Sequence, residues 1–247
     1  MSGVVGLVFA VIVPLLALFV NRSESSPCRR RMDVAFVIDR SASMGDENFG
    51  YIKQFIKKVS HEFLLSKDSV QVGVVPFSHH YALEFGLTNY TNHKALDAAI
   101  DKIQFEGSFS MLSGALKVVQ QKLFMPQLVE VKSKAKKDKP LQAVVIVGDG
   151  GNLSGSDALY ESSLALKDTG KRLFVVGLGR LEYEASMRML ASEPPKTHFF
   201  NAGTGKNLKN FVKRLANSIC KDICPERRRF SVTEGKDVIA AFDYQPK

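Results

Sequence analysis

Four stretches of almost unbroken apolar residues constrain this chain more than any other feature: DVAFVID (33–39), VQVGVVPF (70–77), LQAVVIV (141–147) and RLFVVGL (172–178). They have strand length, and a strand that is apolar at nearly every position, rather than every second one, is covered on both faces. Between the first two, residues 47–65 switch to helical spacing, with Phe49, Ile52, Phe55, Ile56, Val59 and Phe63 on one stripe. The same reading predicts helices over 93–103, 114–124, 157–167, 183–190 and 208–219, short strands over 81–85 and 197–200, and a basic loop over 126–140. Strands alternating with helices specify an α/β fold: a doubly wound, mostly parallel sheet with helices on both faces. We place this domain at residues 32–220 of the 247.

The two ends read differently. Residues 1–31 hold the uncharged run Gly3 to Val20 followed by Arg22 and Arg29 to Arg31, which is either a signal peptide or a signal anchor plus a basic linker. An anchor with that basic flank would leave the chain in the cytosol, whereas sequons at Asn21, Asn89 and Asn152 suit the secretory lumen. The expectation is a secreted, extracellular-matrix glycoprotein, with membrane anchoring through residues 3–20 as the alternative. Residues 221–247 are a tail or the start of a truncated further module, since KDVIAAFDY faintly repeats MDVAFVIDR. Three cysteines leave one thiol without an intrachain partner; Cys28 is expected to bridge to Cys220 or Cys224, the third being free or linking a disulfide-bonded oligomer.

The net charge of +9 would suit an anionic partner such as nucleic acid, glycosaminoglycan or a membrane surface but reads first as an ordinary solubility device, and the run Lys132 to Lys139 offers at most weak polyanion contact. Basic residues interleaved with aromatics are missing from the sequence, so no specific nucleic acid is expected. Nor does it hold a G-x-S-x-G elbow, a phosphate-binding P-loop or a dinucleotide fingerprint, and its five histidines are scattered, so the chain reads as no enzyme.

Ligands on open parallel sheets bind beyond the carboxyl ends of the strands, where the strand order reverses. Three loops carry oxygen-bearing side chains in that region: Asp39, Ser41 and Ser43 after the first strand; Ser108, Ser110 and Ser113 before a helix; and Asp149 after the central strand. In D-x-S-x-S the alternation lets Asp39, Ser41 and Ser43 point the same way. Carboxylates and hydroxyls without histidine or cysteine suit a hard cation such as magnesium.

This arrangement, with the strand–helix order over 32–220, resembles the von Willebrand factor type A domain and its metal-ion-dependent adhesion site. The SICKDICP segment is most similar to modules of collagen VI-type extracellular matrix chains. The resemblance implies Mg2+ (or Mn2+) held by Asp39, Ser41, Ser43, Ser110 and Asp149, and a partner in the matrix or on a cell surface that offers an acidic residue. Ser110 stands where the family has Thr, and Gly148 where it has the Thr of T-D-G, a change expected to loosen the support of Asp149. Arg40 is expected to add a cation beside the site. A structural interaction module with a weak or unused metal site is the alternative function.

Overall fold

Five parallel strands form the sheet in a computed structural model that describes residues 31–125, 140–151, 157–179 and 183–223. They are β1 (Met32–Asp39), β2 (Val70–Phe77), β3 (Leu141–Gly148), β4 (Arg172–Gly177) and β5 (Phe199–Asn201), in the order β2-β1-β3-β4-β5. Every pairing is parallel, with Ile38 beside Pro76 on one side and Val147 on the other. The chain therefore winds one way from β1 to β2 and the other way from β3 to β5. The reversal lies between β1 and β3, so the ends of these two strands form the crevice where such sheets bind ligands.

Helices cover both faces, as the doubly wound reading requires. Val34, Phe36 and Ile38 of β1 point to a layer made by α1 (Gly45–His61), α2 (His93–Asp101) and α7 (Val212–Ile223). Ala35 and Val37 point to α3 (Leu112–Val118), α4 (Asp157–Asp168) and α5 (Glu184–Leu190). The α1 stripe is buried through Phe49, Ile52, Phe55, Ile56 and Val59. Gly45 enters the helix at φ +69°, a conformation only glycine adopts without strain, and Asp46 and Glu47 complement the dipole in the first turn. Asn92 caps α2 by accepting from the Ala95 N–H at 2.9 Å.

Several expected elements are corrected. Residues 81–85 are not a strand; they touch β2 only through isolated antiparallel bridges, Phe77 with Tyr81 and Val74 with Phe85, because the chain doubles back within a few residues at His79 and His80. The helix expected over 114–124 begins at Leu112 and widens to π-helical turns over Val119–Phe124. The strand expected over 197–200 is divided between a single helical turn, α6 (Pro195–His198), and β5; Pro195 suits the first position of a helix, where no N–H is needed. The last helix is entered through a 3-10 segment, Gly205–Phe211. The expectations for residues 1–30, the basic loop at 126–139, Asn152 and the tail at 224–247 lie outside the described residues. Among the described residues, no helix is long and apolar enough to cross a membrane.

One buried carboxyl works against this scaffold. Asp33 is 0% exposed at the opposite end of β1 from the crevice; its Oδ1 has no partner, and Gln142 reaches Oδ2 only at 3.5 Å. Burial pushes it up to about 6, with the Gln142 contact and the Arg31 charge opposing. A raised carboxyl favours the fold below about pH 4 and loses that contribution as pH rises through 6. Asp33→Asn is therefore expected to stabilise the protein by about 2–3 kcal/mol at pH 8. Thermal unfolding at pH 8 and at pH 4 checks this, since the gain must vanish at the lower pH.

Candidate functional site

The buried run of β1 ends at Asp39, which leaves the sheet directly at the switch point, opposite Gly148 of β3. Asp39 is only 2% exposed. Its Oδ1 accepts from the Ser41 N–H at 2.8 Å, which turns the loop and brings the Ser41 and Ser43 hydroxyls to 3.2 Å from each other. Ser41 is buried and Ser43 exposed, so the three side chains run from the sheet end to the surface.

Asp149 follows β3 and is held in the same way, its Oδ1 accepting from the Gly151 N–H at 2.8 Å. A methyl group added at Gly151 would lie 3.1 Å from Asp149 Oδ1 and 3.2 Å from Ser43 Oγ, so these two oxygens flank one point. Asp39, Ser41, Ser43 and Asp149 are thus brought together. Ser110 belongs to a loop joined to the first by the Ala42 N–H donating to Ser108 O at 2.7 Å and the Gly107 N–H to Arg40 O at 3.0 Å. Among the described residues, no hydrogen bond joins its side chain to the other four.

The electrostatics of the pair are unfavourable without a counter-ion. Burial pushes the Asp39 carboxyl up to about 7; hydrogen bonding from Ser41 opposes this, and the nearby Asp149 charge adds to it. Two carboxylates and adjacent hydroxyls at a strand end fit a hard divalent cation, which would supply the missing positive charge. Among the described residues, no group of three or more His, Cys, Asp and Glu side chains could hold a metal, so the donor set depends on its serine hydroxyls.

One expectation changes. Arg40 does not present a free cation: its Nη2 lies 3.1 Å from Glu106 Oε2, and Glu106 also accepts from Ser78 Oγ and pairs with His80 Nδ1 at 2.5 Å. Burial would raise the Glu106 carboxyl, but these bonds and the Arg40 charge hold it below its usual range. Gly148, expected to loosen Asp149, also makes room for Asp39: a Cβ there would lie 2.9 Å from both Cβ and Oδ2 of Asp39. Asn48 was not anticipated from sequence. It accepts from the Gly205 N–H at 3.2 Å and helps line a cleft of about 340 Å³ with Ser43, Asp149 and Thr204. A contact spanning 157 positions leaves no local signal in the sequence.

The von Willebrand factor type A domain model matches residues 33–214. Matrilin-1 of Gallus gallus is 30% identical over 78% of this chain, and matrilin-1 of Homo sapiens 31% over the same share; each alignment covers 37% of the relative. The collagen alpha-1(XXI) chain of Homo sapiens is 26% identical over 90% of this chain and 22% of its own length. The chain thus spans about a third or less of these relatives. Among solved structures, proximal thread matrix protein 1 from the mussel byssus, described with a zinc-occupied MIDAS motif, superposes with a TM-score of 0.66 at 22% identity, covering 78% of this chain and 47% of that one. Five parallel strands, two helical layers and the match over 33–214 make one conclusion plain: the chain belongs to the von Willebrand factor type A domain family, and its relatives include extracellular matrix chains.

Proposed function

We propose that this chain is an extracellular adhesion or matrix-assembly module that binds a protein partner through magnesium or manganese held by Asp39, Ser41, Ser43, Ser110 and Asp149. The observation that carries the reading is the meeting of Asp39 and Asp149 at the switch point, with Asp39 buried and its charge uncompensated. The 3.2 Å between the Ser41 and Ser43 oxygens is close to the roughly 3 Å edge of an octahedron with arms of about 2.1 Å. The bound cation would keep positive character and accept a carboxylate oxygen from the partner.

The chain's own residues do the rest. β1 fixes Asp39, the Ser41 N–H orients its carboxylate, and Ser43 carries the site to the surface. Phe109, 52% exposed, and Met111 flank Ser110 and offer apolar contact beside the site. Such side chains would provide the shape selection that a lone cation lacks. The all-oxygen donor set favours magnesium or manganese here, although the mussel protein's site is described with zinc.

Secretion is supported by the matrix relatives, by the exposed sequon at Asn89 and by Cys220, which takes part in a disulfide. Cys28 and Cys224, the two candidates for its partner, lie outside the described residues. The test is recovery of a binding protein from a matrix extract in magnesium, repeated in chelator and with Asp149→Ala. Loss of the bound protein by at least about tenfold in both is expected, since a buried charged contact is worth about 1.5–3 kcal/mol. Undiminished recovery under both conditions would contradict the proposal.

A further inference from the structure

A basic groove lies between α1 and the segment formed by the 3-10 turn and α7, remote from the strand ends except at one extremity. Its main part, about 620 Å³, is lined by Lys57, Lys58, His61, Lys209 and Lys213 among others. Lys58 and Lys209 continue into a recess of about 260 Å³ that adds Lys206 and Gly205. Gly205 also lines the cleft beside Asp149, so the depressions run on from one another along α1. Lys206, Lys209 and Lys213 recur at intervals of three and four, which puts them on one helical face, with Lys58 across from them.

The charge is largely uncommitted. Lys57 is bound to Asp101 at 2.7 Å, and Asp97 is taken by His61 at 2.9 Å. Lys206 approaches Glu47 only at 3.7 Å, with both side chains at least 70% exposed, and solvent screens such a pair. Among the described residues, Lys58, Lys209 and Lys213 have no carboxylate partner, and Glu62 is the remaining acid in the groove. Like charges placed together without counter-charges repel, and an anionic ligand removes that cost.

We infer that this groove binds a linear sulfated polysaccharide, with Lys58, Lys206, Lys209 and Lys213 contacting successive sulfate and carboxylate groups. The shape selects the occupant. Lys206 to Lys213 run over seven residues of the 3-10 turn and α7, about 11–14 Å, with Lys58 across from them on α1, so the lysines follow a trough rather than cluster around one small anion. A bilayer is flat and meets a concave groove poorly. Nucleic acid would be read through stacking aromatics and bidentate arginines, whereas the groove's lining holds no arginine and its aromatics are Tyr51, bonded to Glu47, and the buried Phe55. This inference is independent of the cation site, because none of its lysines is a proposed ligand there.

The experiment measures binding of a size-defined heparin oligosaccharide to the full chain across a range of salt concentrations, with and without chelator. Affinity should fall with salt and remain unchanged in chelator. The triple variant Lys58→Gln, Lys209→Gln, Lys213→Gln should bind at least about tenfold more weakly and lose about three from the slope of log affinity against log salt. The corresponding triple change to Arg should retain affinity, which separates charge loss from misfolding. Replacing Lys132, Lys134, Lys136, Lys137 and Lys139 by Gln should cost less than about twofold, since the inference assigns the contact to the groove lysines. The inference is overturned if the wild type does not bind, if the Gln triple binds like the wild type, if only the 132–139 variant loses binding, or if phosphatidylserine vesicles or duplex DNA outcompete the oligosaccharide.

Discussion

Saturating magnesium or manganese, added back to chelated protein at pH 8, is expected to raise the melting temperature by about 5–10 °C, and Asp39→Asn to abolish the gain. A cation at about one hundred times its dissociation constant contributes about 2.7 kcal/mol, and each kcal/mol shifts the midpoint of a domain this size by about 2–4 °C. Asp39 explains why the effect should depend on pH. Its folded carboxyl titrates near 7 because it is buried, above the 3.8 of an exposed one. That contribution to stability is complete below about pH 4 and is lost as pH rises through 7, a loss on the order of 4 kcal/mol. Chelated wild type should therefore weaken across this window by more than chelated Asp39→Asn, which loses only the Asp33 contribution and should be the more stable protein at pH 8. Asp33 acts in the same direction up to about pH 6, but equally with and without metal. The difference between the two metal conditions isolates Asp39, and differential scanning calorimetry across pH measures it.

Phe36→Ala should do the reverse: lower stability by about 3–5 kcal/mol and leave the metal-induced gain intact. Phe36 is fully buried at the centre of β1, in the layer beneath α1, α2 and α7, and truncating it leaves a cavity among side chains on several elements. Its side chain faces that layer rather than the crevice three residues further on. The expected fall in midpoint, about 10 °C, should be the same in magnesium and in chelator. A Phe36→Ala protein that stays folded yet no longer responds to magnesium would mean that the site is not a rigid extension of the strand but is coupled to core packing.

The contrast between these two residues reflects what was readable in the sequence. β1 to β4 were legible within a residue or so because burial on both faces writes itself as a continuous apolar run, and α1 because its stripe keeps helical spacing. The segment at 81–85 misled because short alternation near a turn does not distinguish a strand from a chain that brushes β2 at two points. The expected strand at 197–200 failed for a similar reason, local apolarity being shared by the α6 turn and the three-residue β5. At the site, D-x-S-x-S was visible as a local pattern, and the convergence of Asp39 with Asp149 followed from strand order. Neither the Glu106 that neutralises Arg40 nor the Asn48 bond to Gly205 could be read, since each joins residues far apart in the chain. Gly148 has a role that comparison with the family's Thr did not reveal: its missing side chain leaves the space into which Asp39 fits.

The central claim is that Asp39, the three serines and Asp149 act together on one divalent cation. Isothermal titration of manganese into chelated protein at pH 8 tests it most directly, comparing wild type with Asp39→Ala and Asp149→Ala, each confirmed folded. The account predicts one bound ion per wild-type chain, and a loss of at least about a hundredfold in affinity in either variant, as follows from removing one of two carboxylate ligands from a partly buried cation. Equal titration of all three proteins, or no binding by the folded wild type, would contradict it.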